Sequence, residues 1–234
     1  MDRFLRNRML FGNEGQEALF KKKVTVFGVG GVGGYVIEML ARSGVGTIEI
    51  VDHDTVSESN INRQIIALSS TVGKDKVEVM AERIREINPN CNVIPRKEFF
   101  VPENAHLFDF STSDFVVDAI DTVSGKIAII EGCTKAGVPV ISSMGTGNKL
   151  HPELLEITDL AKTSVCPLAR VMRRELKSRG ITHLPVLFSR EEPLKPAFSD
   201  DDTPKGKAAP ASSPFVPSSA GILIASYVVR ELLK

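Results

Sequence analysis

The chain has 234 residues, of which 42% are hydrophobic and 25% are charged, as is typical of a globular protein. This balance excludes a mostly disordered or low-complexity chain. Its 29 Lys and Arg residues equal its 29 Asp and Glu residues, so no global basic field attracts nucleic acid and any RNA contact must come from a local patch. The three cysteines, Cys91, Cys133 and Cys166, form no CxxC pair, which excludes a disulfide framework and a paired-cysteine zinc site and fits a reducing cytosol.

Short apolar runs alternate with amphipathic segments up to residue 143. The run from Val24 to Phe27 ends in glycines, as a buried parallel strand does, and Gly44 and Gly46 end the helix that follows. The complete pattern predicts strands at 24–27, 47–51, 92–95, 115–120 and 140–143, with helices at 34–43, 73–87 and 126–136. Such alternation indicates an α/β fold with a Rossmann-like, doubly wound parallel sheet.

The pattern changes after residue 143. It predicts a strand at 156–159, a basic helix at 167–179, a strand at 184–189 and a closing helix at 218–234. Between the last two, the segment 191–217 is rich in Pro, Ser, Asp and Lys and is expected to form a mobile loop. The apolar stretch 220–229 is shorter than the roughly 20 residues that span a bilayer. We therefore expect a cytoplasmic protein without a transmembrane segment, and attachment to a membrane surface stays open.

A glycine-rich turn follows the first predicted strand. Gly28, Gly30 and Gly33 have GxGxxG spacing, and Gly31 lies within the same turn. Glycines allow a tight turn and let phosphate oxygens approach the N-terminus of the next helix, where free N–H groups favour anions. In this strand–turn–helix setting we expect nucleotide binding rather than a merely structural turn.

The residues after the second predicted strand indicate which nucleotide is bound. Asp52 occupies the place of a ribose-binding acid, which alone would suggest NAD. Asn60, Arg63 and Lys76 follow, and cations of this kind neutralise a triphosphate but are not required for hydride transfer. A solvated helix entry with unrelated charges is the alternative interpretation.

Two acids follow the strand at 115–120. Asp118 is a candidate structural residue, and Asp121 is a candidate ligand for Mg²⁺, because ligand crevices open at the carboxyl ends of such strands. Asp121 also precedes a helix, so an N-cap role is the alternative. The chain has no Walker A motif, which disfavours a P-loop nucleotidase.

Taken together, these motifs resemble those of the adenylating superfamily of ubiquitin-activating-enzyme-like proteins. The matching segments are GVGGVGG at 28–34, DHDTV at 52–56, SNINRQ at 59–64, VGKDKVE at 72–78, NP at 88–89 and DAID at 118–121. Within the superfamily the chain is similar to the family of tRNA threonylcarbamoyladenosine dehydratases. That likeness adds the segments 159–180, 188–193 and 215–221, and with them it covers nearly the whole chain.

The resemblance implies a role for each candidate residue. Gly30 would lie against the phosphates, Asp52 would bind the ribose, and Arg6 would reach ATP across a homodimer. The remaining implied contacts are Asn60, Arg63 and Lys76 to the triphosphate and Asp121 to Mg²⁺, with Arg63, Lys76 and Asp121 acting in catalysis. A structural Na⁺ or K⁺ ion and sulfur-relay partners would also be compatible with the family, whereas DNA would not be a partner.

The family further implies a reaction and a division of the chain. The reaction would be the ATP-dependent cyclisation of N6-threonylcarbamoyladenosine next to the tRNA anticodon, through adenylation of the threonyl carboxylate. One domain over 1–234 would comprise a nucleotide-binding core at 1–147 and a tRNA-side extension at 148–234. The extension carries the candidate tRNA-binding residues Arg170, Arg173, Arg174 and Lys177, for which a solvated helix face is the alternative.

Two other functions stay open at this point. An adenylyltransferase for a ubiquitin-like sulfur carrier would use the same ATP site, but such enzymes often carry zinc cysteines or an acceptor cysteine. The absence of CxxC pairs favours the tRNA reaction, and Cys166 is more typical of a small buried residue than of a nucleophile. A non-catalytic NAD-binding module is the second alternative.

Overall fold

One sheet of seven strands forms the centre of the fold in a computed structural model that describes residues 2–198 and 210–234. The strands are β1 (Lys23–Phe27), β2 (Thr47–Val51), β3 (Asn92–Arg96), β4 (Phe115–Asp118), β5 (Val140–Ser143), β6 (Leu155–Asp159) and β7 (Pro185–Ser189). Their order is β3-β2-β1-β4-β5-β7-β6, and only the β6–β7 pair at the edge is antiparallel. The predicted α/β fold with a doubly wound parallel sheet is confirmed.

Six α-helices surround the sheet within the described residues. They are α1 (Leu5–Leu19), α2 (Gly33–Ser43), α3 (Lys76–Ile87), α4 (Val123–Ala136), α5 (Pro167–Lys177) and α6 (Phe215–Leu232). The helix predicted from residue 73 begins three residues later because Asp75 is extended and forms a bridge with Thr55. The helix predicted from residue 126 begins earlier, at Val123.

The sequence pattern did not reveal α1. Only Gln16 and Leu19 of this helix are buried, so it has no continuous apolar stripe, and Gly12 interrupts it with non-helical angles (φ 76°, ψ 165°). Amphipathic periodicity is the main signal for a helix, and α1 carries little of it.

The two faces of the sheet bury two separate apolar clusters. Successive residues of β4 show the alternation, since Val117 packs with α2, α3 and α6 while Val116 packs with α4 and α5. Side chains point alternately to opposite faces of a strand, so a strand buried on both faces is apolar throughout. This double burial explains why the central strands were visible as continuous apolar runs.

The predicted mobile loop at 191–217 extends too far. α6 begins at Phe215, and Pro214 precedes it with φ −70°, a value that suits the start of a helix. Residues 191–198 and 210–214 belong to no helix or strand. Residues 199–209, the middle of the predicted loop, lie outside the described residues.

One helix of the described chain, α6, is long and apolar enough to cross a membrane by length and composition. Four of its side chains, Val216, Ala220, Ile224 and Val228, are completely buried in the cluster that also contains α2 and α3. Their burial explains its apolar composition as that of a core helix.

Candidate active site

A crevice of about 420 Å³ opens at the carboxyl ends of β1, β2 and β4. The strand order reverses between β1 and β4, and open α/β sheets bind ligands at such a point. Eight of the predicted nucleotide-binding residues line it, namely Gly28, Gly30, Gly31, Asp52, Asn60, Arg63, Lys76 and Asp121. The structure therefore brings together residues that lie up to 93 positions apart in the chain (Gly28 and Asp121).

The glycines of the turn have different physical tasks. Gly28 has φ 95°, and a Cβ there would lie 2.7 Å from the carbonyl oxygen of Ala119. A Cβ on Gly33 would lie 1.8 Å from the carbonyl oxygen of Gly28, so this glycine permits close backbone packing and does not itself line the crevice. A Cβ on Gly30 would meet no atom within 4 Å. Gly30 thus leaves space in the crevice, and Gly28 and Gly33 shape the turn.

Asp52 is fixed by backbone donors on both of its carboxylate oxygens. The N–H of Val29 donates to Oδ2 at 2.7 Å, and the N–H of Asp54 donates to Oδ1 at 2.8 Å. Each oxygen retains a lone pair that can accept a hydrogen bond from a hydroxyl group. The acid therefore ties β2 to the glycine turn and can still bind two neighbouring hydroxyl groups.

The cations of the crevice are held by local partners. Lys76, only 5% exposed, places Nζ 2.8 Å from Oδ2 of Asp54. Arg63 donates to the carbonyl oxygen of Ser59 at 2.9 Å and to Oδ1 of Asn62 at 2.8 Å. Sequence reasoning missed Asp54 as the partner of Lys76. A phosphate group that reached Lys76 would compete with this carboxylate.

Asn60 has a structural contact as well as a place in the crevice lining. Its Oδ1 accepts a hydrogen bond from the N–H of Ser57 at 3.2 Å and so closes the first turn of a short 3₁₀ helix, Glu58–Asn60. The amide nitrogen of Asn60 makes no hydrogen bond within the described residues, which leaves it available as a donor.

Asp118 and Asp121 occupy very different environments. Asp118 is completely buried, with Nζ of Lys126 3.0 Å from its Oδ2 and the hydroxyl of Ser142 donating at 2.5 Å. Lys126 also donates to the carbonyl oxygen of Ile120 at 2.9 Å, so the buried pair holds the loop that leads to Asp121. Asp121 itself is exposed and lines the crevice. Asp118 is thus structural, and Asp121 is available to a ligand.

Several crevice residues were not among the predicted site residues. Phe99 and His53 line the crevice, and the Gln64 side chain is 7% exposed with a buried Oε1 that has no hydrogen-bond partner within the described residues. Pro217 of α6 and Thr146 after β5 form further lining. The segments 52–56, 59–64 and 215–221 contain His53, Gln64 and Pro217 and could have marked them, whereas no sequence signal marked Phe99 or Thr146.

Comparison with known proteins gives the chain its family. The ThiF family model matches residues 4–234. The chain belongs to the ThiF family. It is 43% identical to a tRNA threonylcarbamoyladenosine dehydratase of Bacillus subtilis (strain 168), in a match that covers 100% of this chain and 96% of the relative. It is 38% identical to a tRNA threonylcarbamoyladenosine dehydratase of Escherichia coli (strain K12), over 91% of this chain and 81% of the relative.

Solved structures of an enzyme from E. coli share the same fold. One is the crystal structure of tRNA N6-threonylcarbamoyladenosine dehydratase, TcdA, in complex with ATP, with a TM-score of 0.89 and 34% identity. The match covers 99% of this chain and 93% of that chain. A second structure of the same enzyme is in complex with AMP and also gives a TM-score of 0.89.

Two groups of predicted residues lie outside the crevice lining of this ThiF chain. Arg6 is exposed on α1. The basic residues of α5 differ in their partners. Arg173 donates to the carbonyl oxygen of Thr163 at 2.7 Å and also to its hydroxyl oxygen. Arg174 pairs with Glu175 at 2.9 Å. In the described part of the chain, Arg170 and Lys177 are exposed and have no ion-pair partner.

The cysteines are buried, as expected of small core residues. Burial raises the pKa of Cys91 to about 11 and that of Cys133 to about 12. Cys166, 3% exposed, precedes α5. A buried thiol with so high a pKa is protonated at neutral pH, which is typical of an inert core cysteine.

Two glycine substitutions test whether Gly30 provides space for the ligand while Gly33 provides close packing within the turn. Gly30→Ala introduces a Cβ into open space, so we expect an unchanged free energy of unfolding and an ATP affinity lowered about tenfold or more. Gly33→Ala forces a Cβ against the Gly28 carbonyl and should cost about 3 kcal/mol of stability or more. Denaturant unfolding and titration calorimetry measure the two effects. Equal loss of stability in both variants would contradict the assignment.

Proposed function

We propose that this chain is an ATP-dependent dehydratase that cyclises N6-threonylcarbamoyladenosine in the anticodon loop of tRNA. The similarity over the entire chain carries this proposal, because dehydratases of this name match residues 148–234 as well as the nucleotide-binding part. The crevice supports it independently, since a glycine turn, a ribose-type acid and two cations line one cavity. We also propose that 1–147 and 148–234 act as one domain.

The residues of the crevice fit ATP as a substrate. Gly30 leaves room for phosphate oxygens, and the two oxygens of Asp52 can accept hydrogen bonds from the ribose hydroxyl groups. Asn60, Arg63 and Lys76 line the crevice and offer N–H donors toward a triphosphate. For Lys76 this means exchanging the Asp54 carboxylate for a phosphate, which keeps the ammonium group paired throughout.

The chemistry needs activation of a poor electrophile. The threonyl carboxylate bonds to the α-phosphorus of ATP as pyrophosphate leaves, and the ureido group of the same modification then closes on the activated carbonyl as AMP leaves. Arg63 and Lys76 would neutralise the negative charge that develops on the phosphates. Ring closure is intramolecular, so positioning supplies much of the acceleration and the protein needs no nucleophile. The burial of all three cysteines agrees with this route.

Asp121 is the residue we assign to Mg²⁺. Its carboxylate is exposed in the crevice, and Mg²⁺ is commonly held by one or two carboxylates together with waters and phosphates. The only close group of three ligating side chains in the described chain is Asp52, His53 and Asp54, and Lys76 already occupies an oxygen of Asp54. When bound, the ion would supply positive charge to the phosphate oxygens. The Na⁺ or K⁺ ion and the sulfur-relay partners stay predictions of the resemblance.

A homodimer would give Arg6 a role. Arg6 is exposed on α1, and the large apolar side chains of Met9 (72% exposed) and Leu10 (79% exposed) lie on the same helix. Exposed apolar surface of this kind is typical of an interface. We propose that a second copy covers this surface and that Arg6 reaches the crevice of its partner. A tRNA substrate favours a cytoplasmic location.

The proposed contact with tRNA centres on α5. Arg170 and Lys177 are exposed without carboxylate partners in the described chain and are suited to phosphate oxygens. Glu175 partly neutralises Arg174 and also lies 3.1 Å from Arg179. Arg173, which holds Thr163, is better suited to positioning α5 than to binding RNA.

Exchange of pyrophosphate into ATP distinguishes the three candidate functions. We expect exchange with tRNA that carries threonylcarbamoyladenosine, because its threonyl carboxylate is the group that the proposed reaction adenylates. We expect none with unmodified tRNA or with a sulfur-carrier protein. Exchange with the carrier protein alone would establish the adenylyltransferase instead. Absence of exchange with every substrate, together with tight binding of NAD, would establish the NAD-binding module.

A change at Asp121 tests the magnesium assignment. Asp121→Asn keeps the shape of the side chain and removes its charge, so we expect exchange to fall by about 100-fold or more, and higher Mg²⁺ to restore part of it. Glu98→Gln is the matched control, since this carboxylate also lines the crevice but pairs with Arg96 at 2.9 Å. An equal loss of exchange in both variants would show that the effect comes from the total charge of the crevice, and it would contradict the assignment of Asp121 to Mg²⁺.

Salt dependence tests the surface of α5. The double variant Arg170→Ala/Lys177→Ala should weaken tRNA binding and reduce the slope of log affinity against log salt by about 1.4 to 1.8, because each of two phosphate contacts contributes roughly 0.7 to 0.9. Arg174→Ala/Arg179→Ala is the control, because Glu175 already neutralises these side chains in part. An unchanged slope in the first variant would place the RNA elsewhere.

A further inference from the structure

An exposed aromatic ring lies at the ATP crevice. Phe99 follows β3 and is 48% exposed, and it lines the crevice beside Asp52. The ring of His53 packs on it, with ring centroids 4.4 Å apart and planes inclined by 54°. His53 is in turn anchored, because its Nε2 lies 3.2 Å from Oδ1 of Asp54. Two flat rings are thus held together next to the residue proposed to bind ribose.

This arrangement differs from that of the other aromatic residues. Phe100 packs edge-on against Phe27 and Phe108, within the core. Three phenylalanines of the described chain are exposed, and of these Phe198 and Phe215 lie outside the crevice lining. A single exposed apolar residue is ordinary on a protein surface. An exposed ring inside the nucleotide crevice, supported from one side by a second ring, is what a stacking site for a base requires.

We propose that Phe99, positioned by His53, forms a stacking platform for a nucleobase at this crevice. The proposal rests on the proposed function, which brings two bases to the site, the adenine of ATP and a base of the tRNA anticodon loop. Both have the same chemistry toward a ring, an apolar π-face that stacks without hydrogen bonds. Because Phe99 packs on His53, the residue that follows Asp52 in the chain, a base attached to a ribose bound at Asp52 lies within reach of the ring.

The steady-state constants for the two substrates test the platform. Phe99→Ala should raise the KM for ATP or the KM for the modified tRNA roughly 5- to 100-fold, the range that loss of one base–aromatic stack produces, with little change in kcat. Phe99→Tyr retains a ring and should restore the affected KM to within about twofold. His53→Ala should give a smaller rise, which His53→Phe reverses. Phe198→Ala is the control for loss of an exposed phenylalanine away from the crevice, and it should change neither constant.

Ligands that lack the base distinguish the two sources. If the base is the adenine, Phe99→Ala weakens binding of ATP but not of ribose 5-triphosphate. If the base belongs to the tRNA, ATP binding is unchanged and only the retention of the modified tRNA falls. Equilibrium dialysis of ATP and filter retention of tRNA measure these affinities without turnover, and thermal melting checks that each variant is folded.

The outcomes separate this platform from the proposed reaction. A folded Phe99→Ala variant that binds ATP and the modified tRNA as the unchanged protein does, within about twofold, would overturn the platform. An unchanged protein that forms no AMP with the modified tRNA would overturn the reaction. Weaker ATP binding by Phe99→Ala would still support the platform in that case, because that measurement requires no tRNA.

Discussion

Direct backbone packing between the glycine turn after β1 and the loop after β4 shapes the nucleotide crevice. Gly28 lies against the carbonyl group of Ala119 after β4, and Gly33 lies against the carbonyl group of Gly28. Neither contact leaves room for a Cβ, so the turn can bring the start of α2 to the end of β1 only with glycine at both places. The remaining crevice residues take their positions from this close approach. The helix that begins at Gly33 and the loop that carries Asp121 are both packed around the same turn.

The ribose-type acid and the two cations of the crevice have partners before any nucleotide is bound. Asp52 accepts two backbone N–H bonds and Lys76 pairs with Asp54, so these side chains are already oriented. Below them, the completely buried Asp118–Lys126 pair fixes the carbonyl group of Ile120. A buried pair of this kind contributes little net stability, but its geometry is specific. Its effect here is to set the direction of the loop from which Asp121 projects.

The C-terminal part of the chain belongs to the same site. Gly221 of α6 lies against the carbonyl group of Val32, so α6 packs closely on the start of α2, and Pro217 reaches the crevice lining. A reciprocal pair of hydrogen bonds links Asn148 with Ala211, and Gly147 packs on Pro210. Thr146, Gly147, Pro210 and Ser212 thus line the crevice together. This arrangement brings residues of the C-terminal part of the chain into the lining of the crevice.

Local sequence determined the sheet and most of the crevice. Central strands such as β2 and β4 are buried on both faces and therefore apolar throughout, and the turn at Gly28–Gly33 depends on the absence of side chains, which is visible in the residue types themselves. Asp52 and Asp121 follow strand ends and Lys76 begins a helix, so their common location followed from the parallel sheet.

Only the tertiary structure decided the rest. Most of the surface of α1 is exposed, so its sequence carries no amphipathic periodicity that would predict a helix. The position of α6 depends on its close packing against the start of α2. The partners of Lys76 and Arg173, and the exposure of Phe99 beside His53, arise from segments that meet in space but are separate in the chain. Residue type and spacing indicate what a side chain can do. Its partner and its exposure depend on distances between segments, which are set only when the complete chain packs.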